Sequence, residues 1–157
     1  IKIDDNYCAS KIASENIVLS SGGVSLRVSN VYGNEMSRSN VISDIFSQLG
    51  SEIMTLNNIY AVRDFIHVED VASYVKELIM INNYKGLLNI GSGVGWSIKN
   101  IAEYANAAYG SPETRLISKA QPNLNSIILS INNLHNICAY RAVNNIQNFI
   151  LNKISNM

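Results

Sequence analysis

Asn6-Tyr7-Cys8-Ala9-Ser10-Lys11-Ile12-Ala13-Ser14-Glu15 is the stretch from which the rest of the chain can be ordered. Read as a helix, it places Tyr7 and Lys11 at i and i+4, one turn apart on the same face. A phenol has a reference pKa near 10 and is a poor base at neutral pH. An ammonium one turn away favours the phenolate and lowers that value. A positioned tyrosine of this kind is what proton transfer to or from a sugar hydroxyl or carbonyl requires. By itself, a tyrosine and a lysine at this spacing is more often a solvated helix face than a site. Its weight comes from the order of the segments downstream.

Working outward, the helix expected from about Asp5 to Ser20 ends at Gly22-Gly23, and Val24 to Val28 alternates as a short strand running to Asn30-Val31-Tyr32-Gly33. After a polar loop from Asn34 to Asn40, a second helix is expected over Val41 to Leu49, closed by Gly50. Ile53 to Thr55 and Ile59 to Val62 flank Asn57-Asn58 and read as a small hairpin, because Asn tolerates the positive φ of such turns. Arg63 to Asp70 reads as a strand entering a helix from about Val71 to Ile81, with Glu69 or Asp70 capping its open amides. Leu87 to Ile90 is a further strand, ended by Gly91-Ser92-Gly93-Val94-Gly95. Ser97 suits the N-cap of a helix from Ile98 to Tyr109, stopped by Gly110 and Pro112. Short strands are expected at Arg115 to Ser118 and Ile127 to Ser130. Apolar residues at helical spacing mark a last helix from about Asn144 to Ile154. Strands alternating with helices indicate an α/β chain with a partly parallel sheet.

Composition narrows the function classes. The chain has 157 residues, 47% apolar and 15% charged, enough for one domain with a core. Its formal net charge is zero and no Lys/Arg run occurs, which argues against a nucleic-acid surface built on bulk charge. Cys8 and Cys138 form no metal or redox spacing, so a reducing cytoplasm is the expected compartment. No apolar run approaches the ~18 residues needed to span a bilayer. No signal peptide is evident, but the chain begins with Ile1 rather than Met, so a targeting segment could precede it.

Four runs then stand in a recognisable order. They are Tyr7-x-x-Ser10-Lys11 with Glu15; Leu26-Arg27-x-x-Asn30-Val31-Tyr32-Gly33; Arg63-Asp64-Phe65-Ile66-His67-Val68-x-Asp70-Val71-Ala72; and Asn89-Ile90-Gly91-Ser92-Gly93 with Ser97-Ile98. Together they resemble the extended short-chain dehydrogenase/reductases, and within them the NAD-dependent epimerase/dehydratase family that modifies nucleotide sugars. The resemblance covers about Tyr7 to Tyr109. It implies residues 1–157 of a Rossmann-type fold: the C-terminal half of its parallel sheet plus a small α/β substrate-binding lobe. The family opens with a strand, a Gly-x-x-Gly-x-x-Gly turn and a helix that hold the dinucleotide pyrophosphate, and a Ser/Thr partners the tyrosine some twenty residues before it. Neither is found here, so the expected chain is the C-terminal part of a longer enzyme, inactive alone.

By this resemblance Tyr7 is the acid/base, and Lys11 binds the nicotinamide ribose of NAD or NADP, with NAD favoured. Asn30 and Arg63 bind the substrate diphosphate, a task that suits the planar guanidinium fork. The implied partners are a nucleotide sugar and, in the full-length enzyme, a second copy of itself, with no nucleic acid and no membrane. Epimerase or dehydratase chemistry is implied; keto-sugar reduction and a non-catalytic dinucleotide-binding protein remain as alternatives. Ser10 reads as helix packing, His67 and Asp70 as packing and capping, and Arg63 as paired with Asp64 if it is only a surface residue. His135 carries no metal spacing. Where the family often carries an arginine and an acidic residue near the substrate ribose, this chain has Gln121-Pro122-Asn123-Leu124-Asn125, with neither charge.

Overall fold

The computed structural model describes residues 6–81 and 83–157. In chain order the elements are α1 (Asn6–Ser20), β1 (Val24–Val28), β2 (Asn30–Tyr32), α2 (Val41–Ser47), β3 (Ile53–Leu56), β4 (Val62–His67), α3 (Val68–Ile81) and β5 (Gly86–Ile90). They continue with β6 (Gly95–Ser97), α4 (Ile98–Tyr109), β7 (Arg115–Ser118), β8 (Ser126–Ile127), α5 (Asn132–Ile137) and α6 (Ile146–Ser155). The first residue of the expected first helix, Asp5, lies outside the described residues.

α1 stops where Gly22 adopts φ +71°, with Gly22 and Gly23 donating back to the carbonyls of Leu19 and Val18 at 3.0 and 2.9 Å. β1 then pairs in parallel with β5, Val24 opposite Gly86 and Val28 opposite Ile90. One residue, Ser29, separates β1 from β2, and its amide still bonds Ile90. Beyond it the chain enters a second sheet, in which β2 pairs in parallel with β4, Asn30 opposite Phe65 and Tyr32 opposite His67. β4 also carries β6 antiparallel and β8 parallel. Asn30 therefore stands where the chain passes between sheets.

Two apolar clusters share β4 as their partition. Phe65 belongs to the cluster with Tyr32, Ile42, Ile45, Met54, Leu56, Ile101 and Ile150, built on α2, β3, α4 and α6. Ile66 faces the other, with Tyr74, Ile90, Leu134 and Cys138 from α3, β5 and α5. Successive strand side chains point to opposite faces, so adjacent residues feed separate cores. The α/β architecture with parallel pairs matches the sequence expectation.

Several local expectations are corrected. The hairpin at Asn57-Asn58 does not form: β3 pairs in parallel with β7, Ile53 opposite Arg115 and Leu56 opposite Ser118. Asn58 instead accepts the Tyr60 amide at 3.0 Å, a side-chain turn that carries the chain into β4. α2 ends at Ser47, because Gln48 turns its amide onto Thr55 of β3, accepting from its N–H at 2.8 Å. α3 begins at Val68, so Glu69 and Asp70 lie inside its first turn; the Glu69 amide is capped by His67 Nδ1 at 3.3 Å. Ser97 does cap α4, accepting from Asn100 N at 3.0 Å, and Gly110 closes it in the left-handed region at φ +90°.

Candidate functional site

α1 lies over β1 and leaves between them a groove of about 500 Å³, lined by Tyr7, Lys11, Glu15, Leu26, Arg27 and Val28 among others. The Lys11 ammonium stands 5.4 Å from the centre of the Tyr7 ring, as the i, i+4 spacing requires. Tyr7 is 68% exposed. Among the described residues Lys11 makes no ion pair, and it lines the groove. Ser10 is exposed and turns its hydroxyl back to the Tyr7 carbonyl at 2.8 Å, a bond within its own helix.

Glu15, the next residue on the Tyr7–Lys11 stripe, accepts from Arg27 Nε at 2.9 Å and Nη2 at 2.7 Å. The hydrogen bonds from Arg27 hold the Glu15 carboxyl below its ordinary range against the opposing effect of burial, and Arg27 is correspondingly pushed up. The sequence shows both residues, and the i+4 repeat Tyr7, Lys11, Glu15 puts them within reach of a role. Their mutual contact is tertiary and has no local signal.

The second constellation lies at the start of β2 and β4. Asn30 and Arg63 together line two adjoining cavities of about 330 and 240 Å³. Val28 lines the smaller of these as well as the α1–β1 groove, so the two constellations adjoin through the end of β1. Asn30 donates its amide to the Asp64 carbonyl at 3.0 Å, which fixes its orientation. Arg63 spends Nη1 on the carbonyls of Val62 and Asn125, at 2.8 and 2.6 Å. Among the described residues its Nε and Nη2 carry no hydrogen bond, which leaves one edge of the fork for a ligand oxygen.

Arg63 is not paired with Asp64, which corrects the surface ion-pair alternative. Asp64 is 1% exposed and points the other way. Its carboxylate accepts from Ser92 N at 2.9 Å, Ser92 Oγ at 2.7 Å, Gly93 N at 3.1 Å and Leu129 N at 3.3 Å. A Cβ on Gly91 would collide with that carboxylate. The Gly-rich turn after β5 is thus filled by a protein carboxylate, and two of its amides are already committed. It is no cradle for a pyrophosphate.

The segment lacking the family's late charges reaches the site through its main chain. Asn58 Nδ2 donates to the Asn123 carbonyl at 3.1 Å, and Arg63 holds that of Asn125. His67 packs edge-on against Tyr32 with ring centres 5.1 Å apart. Asp70, expected as a helix cap, is instead fully buried and binds the segment before α6. His135 Nε2 lies 3.3 Å from the Tyr74 hydroxyl. Among the described residues no cluster of His, Cys, Asp and Glu could hold a metal ion, and no helix is long and apolar enough to cross a membrane.

A sequence model of the NAD dependent epimerase/dehydratase family matches residues 3–91. A dTDP-L-rhamnose 4-epimerase of Burkholderia thailandensis is 32% identical over 123 residues, an alignment covering 70% of this chain and 34% of that protein. Among solved structures, dTDP-glucose 4,6-dehydratase from Bacillus anthracis in complex with NAD superposes with a TM-score of 0.83 at 17% identity, covering 97% of this chain and 51% of that one. RMD from Pseudomonas aeruginosa complexed with NADPH gives a TM-score of 0.82 at 22% identity, covering 95% and 55%. The chain therefore spans about a third of the curated relative and about half of each solved structure.

Proposed function

The chain belongs to the NAD-dependent epimerase/dehydratase family, and from that premise we propose that it is the C-terminal part of an enzyme that epimerises or dehydrates a nucleotide sugar in the cytoplasm. Tyr7 is its acid/base, Lys11 its ribose-binding residue, and Asn30 with Arg63 its diphosphate-binding pair. One observation carries the reading: the Tyr7–Lys11 pair and the Asn30–Arg63 pair line cavities that adjoin at Val28. A proton-transfer group beside an anion-binding pocket is what chemistry on the sugar of a nucleoside diphosphate sugar needs.

The exposed side of α1 fits a nicotinamide dinucleotide. A phenol and an ammonium facing one open groove are the donors that a vicinal ribose diol accepts from, and NAD or NADP serves this geometry equally. When bound, that group supplies reversible hydride acceptance at the sugar carbon. Tyr7 takes the proton from the adjacent sugar hydroxyl, leaving a keto-sugar, and can return it later. Lys11 sets a positive charge beside the phenol oxygen as that proton moves. Arg63, held by Val62 and Asn125 on one edge, offers its other edge to phosphate oxygens, and so fixes how far the sugar reaches toward Tyr7.

In the full-length enzyme, assayed on a panel of UDP- and dTDP-hexoses, Tyr7→Phe should lower kcat by about 10²–10⁴-fold and leave the Kd of the nucleotide sugar within a factor of about three. A kcat close to that of the unchanged enzyme would remove Tyr7 from the reaction and the proposal with it.

A further inference from the structure

We propose that the Glu15–Arg27 ion pair sets the rotation of α1 over the sheet, which makes both residues positioning residues for Tyr7 and Lys11. The proposal rests on the acid/base reading of Tyr7, and extends it to what keeps the phenol on target.

α1 is an unusual support for a reacting group, because it buries none of its side chains. Its half-buried residues are Cys8, Ile12, Glu15 and Leu19, and none of them is sealed from solvent, so apolar packing among the described residues indexes its rotation only loosely. Glu15 attaches it to β1 directionally, accepting a two-pronged bond from Arg27 Nε and Nη2. A two-pronged guanidinium–carboxylate contact fixes an angle as well as a distance, which a point-charge contact does not. The Glu15 side chain is 14% exposed and that of Arg27 42%, so the pair is sheltered on the helix side.

Position on the stripe turns that fixed angle into a fixed phenol. Residues four apart on a helix face the same way, so Tyr7, Lys11 and Glu15 move together as the helix turns. With side chains reaching 5–6 Å from the axis, a 20° rotation moves the phenol oxygen by roughly 2 Å. Misplacement of about 1 Å can already cost 10²-fold in rate. Arg27 is anchored in turn, since it sits in β1 opposite Asn89 of β5 and one residue before Val28, where the groove meets the Arg63 cavity. The ion pair thus references the proton-transfer group to the sheet that carries the diphosphate pocket.

The test uses the full-length enzyme and four variants: Tyr7→Phe, Glu15→Gln, Arg27→Lys, and Tyr7→Phe combined with Glu15→Gln. Arg27→Lys keeps the charge and loses the fork. Both Glu15→Gln and Arg27→Lys should lower kcat by about ten- to hundredfold, with KM for the nucleotide sugar changed less than about threefold. With the dinucleotide saturating, so that the hold of Lys11 on its ribose does not limit the rate, the combined variant should be no slower than Tyr7→Phe alone, because a misaimed phenol cannot matter once its hydroxyl is gone. A purely structural defect would slow the combined variant further, and that result would overturn the proposal. So would an unchanged kcat in Arg27→Lys, or a loss confined to KM. If Tyr7→Phe itself turns over normally, the acid/base reading fails first; if it is inactive while Glu15→Gln is normal, only the positioning role fails.

Discussion

Arg63 and Asp64 are neighbours in sequence and use their charges on opposite faces of β4. Arg63 keeps one edge of its guanidinium for a ligand, while Asp64 is buried and takes four donors from the turn after β5 and from Leu129. Arg63→Ala should weaken binding of UDP or dTDP by about 1.5–3 kcal/mol, the usual value of a charge-assisted hydrogen bond; an unchanged Kd by calorimetry would place Arg63 outside the site. Asp64→Asn acts on stability instead. The new amide can accept through one atom only, and turns its own hydrogens toward N–H groups that still need an acceptor. Each buried donor left unmade costs about 1–3 kcal/mol. Urea unfolding should therefore show a loss of about 2–4 kcal/mol, and a midpoint unmoved from that of the unchanged protein would mean that the Asp64 cradle is not under strain when its charge is removed. Neither role could be read from the dipeptide. The charge of Arg63 and the strand it enters were legible, but the direction of Asp64 depends on which face of β4 is core, and that is decided by contacts far along the chain.

Among the elements, α3 shows how much a periodic pattern reveals and what it hides. A helix from about Val71 to Ile81 was expected, but Asp70, Tyr74 and Glu77, at i, i+4 and i+7, form a stripe that binds residues 139–144. Asp70 accepts from the Tyr140 hydroxyl at 2.6 Å, from Val143 N at 3.1 Å and from Asn144 N at 3.2 Å. The Tyr74 hydroxyl takes Ala142 N at 3.1 Å, and Glu77 takes the amides of Ala139 and Tyr140 at 2.6 and 2.9 Å. The partners lie some sixty to seventy residues away, so a capping role was the only local interpretation open to Asp70. The same limit explains the false hairpin: Asn57-Asn58 has the right turn chemistry, yet β3 finds its partner at Arg115. α5 has six residues and no side-chain cap, so neither periodicity nor a capping residue marks it in the sequence. The stripe makes the fold sensitive to alkali. The Tyr140 hydroxyl is pushed up first by its bond to Asp70 and then by burial, Tyr74 by burial, and Tyr32 by burial and then the Asp70 charge. Values raised above the unfolded phenol's ~10 give stability that is complete below about pH 10 and is lost as pH rises through the folded values. Burial pushes the Cys138 thiol up as well, so urea midpoints should begin to fall gently near pH 9 and more steeply beyond about 10. A midpoint constant to pH 11 would show that these hydroxyls do not hold α3 to the segment before α6.

At the scale of the whole molecule, the folded part and the reacting part are unequally supported. The lobe built on α2, β3, α4 and α6 has a closed core, whereas β1 has one strand partner among the described residues, β5, and α1 covers it without burying a side chain. Tyr7 and Ile17 are each 68% exposed, and Val24 and Val28 are 37% and 41% exposed along β1. An open strand edge beside an apolar helix face is a surface that other chains can pair with. The relatives that this chain matches are about twice its length, and a doubly wound sheet holds its dinucleotide on the Gly-rich turn after its first strand. The one Gly-rich turn present here is occupied by Asp64. Residues 1–157 purified alone should therefore associate in sedimentation, and should give no heat with NAD at micromolar concentration in a calorimetric titration. The lobe's own core should still melt cooperatively, because its contacts lie within the chain. A monomer that binds NAD at micromolar concentration would require a dinucleotide site within these residues, and would overturn the assignment of the chain to the substrate-binding part of a larger enzyme.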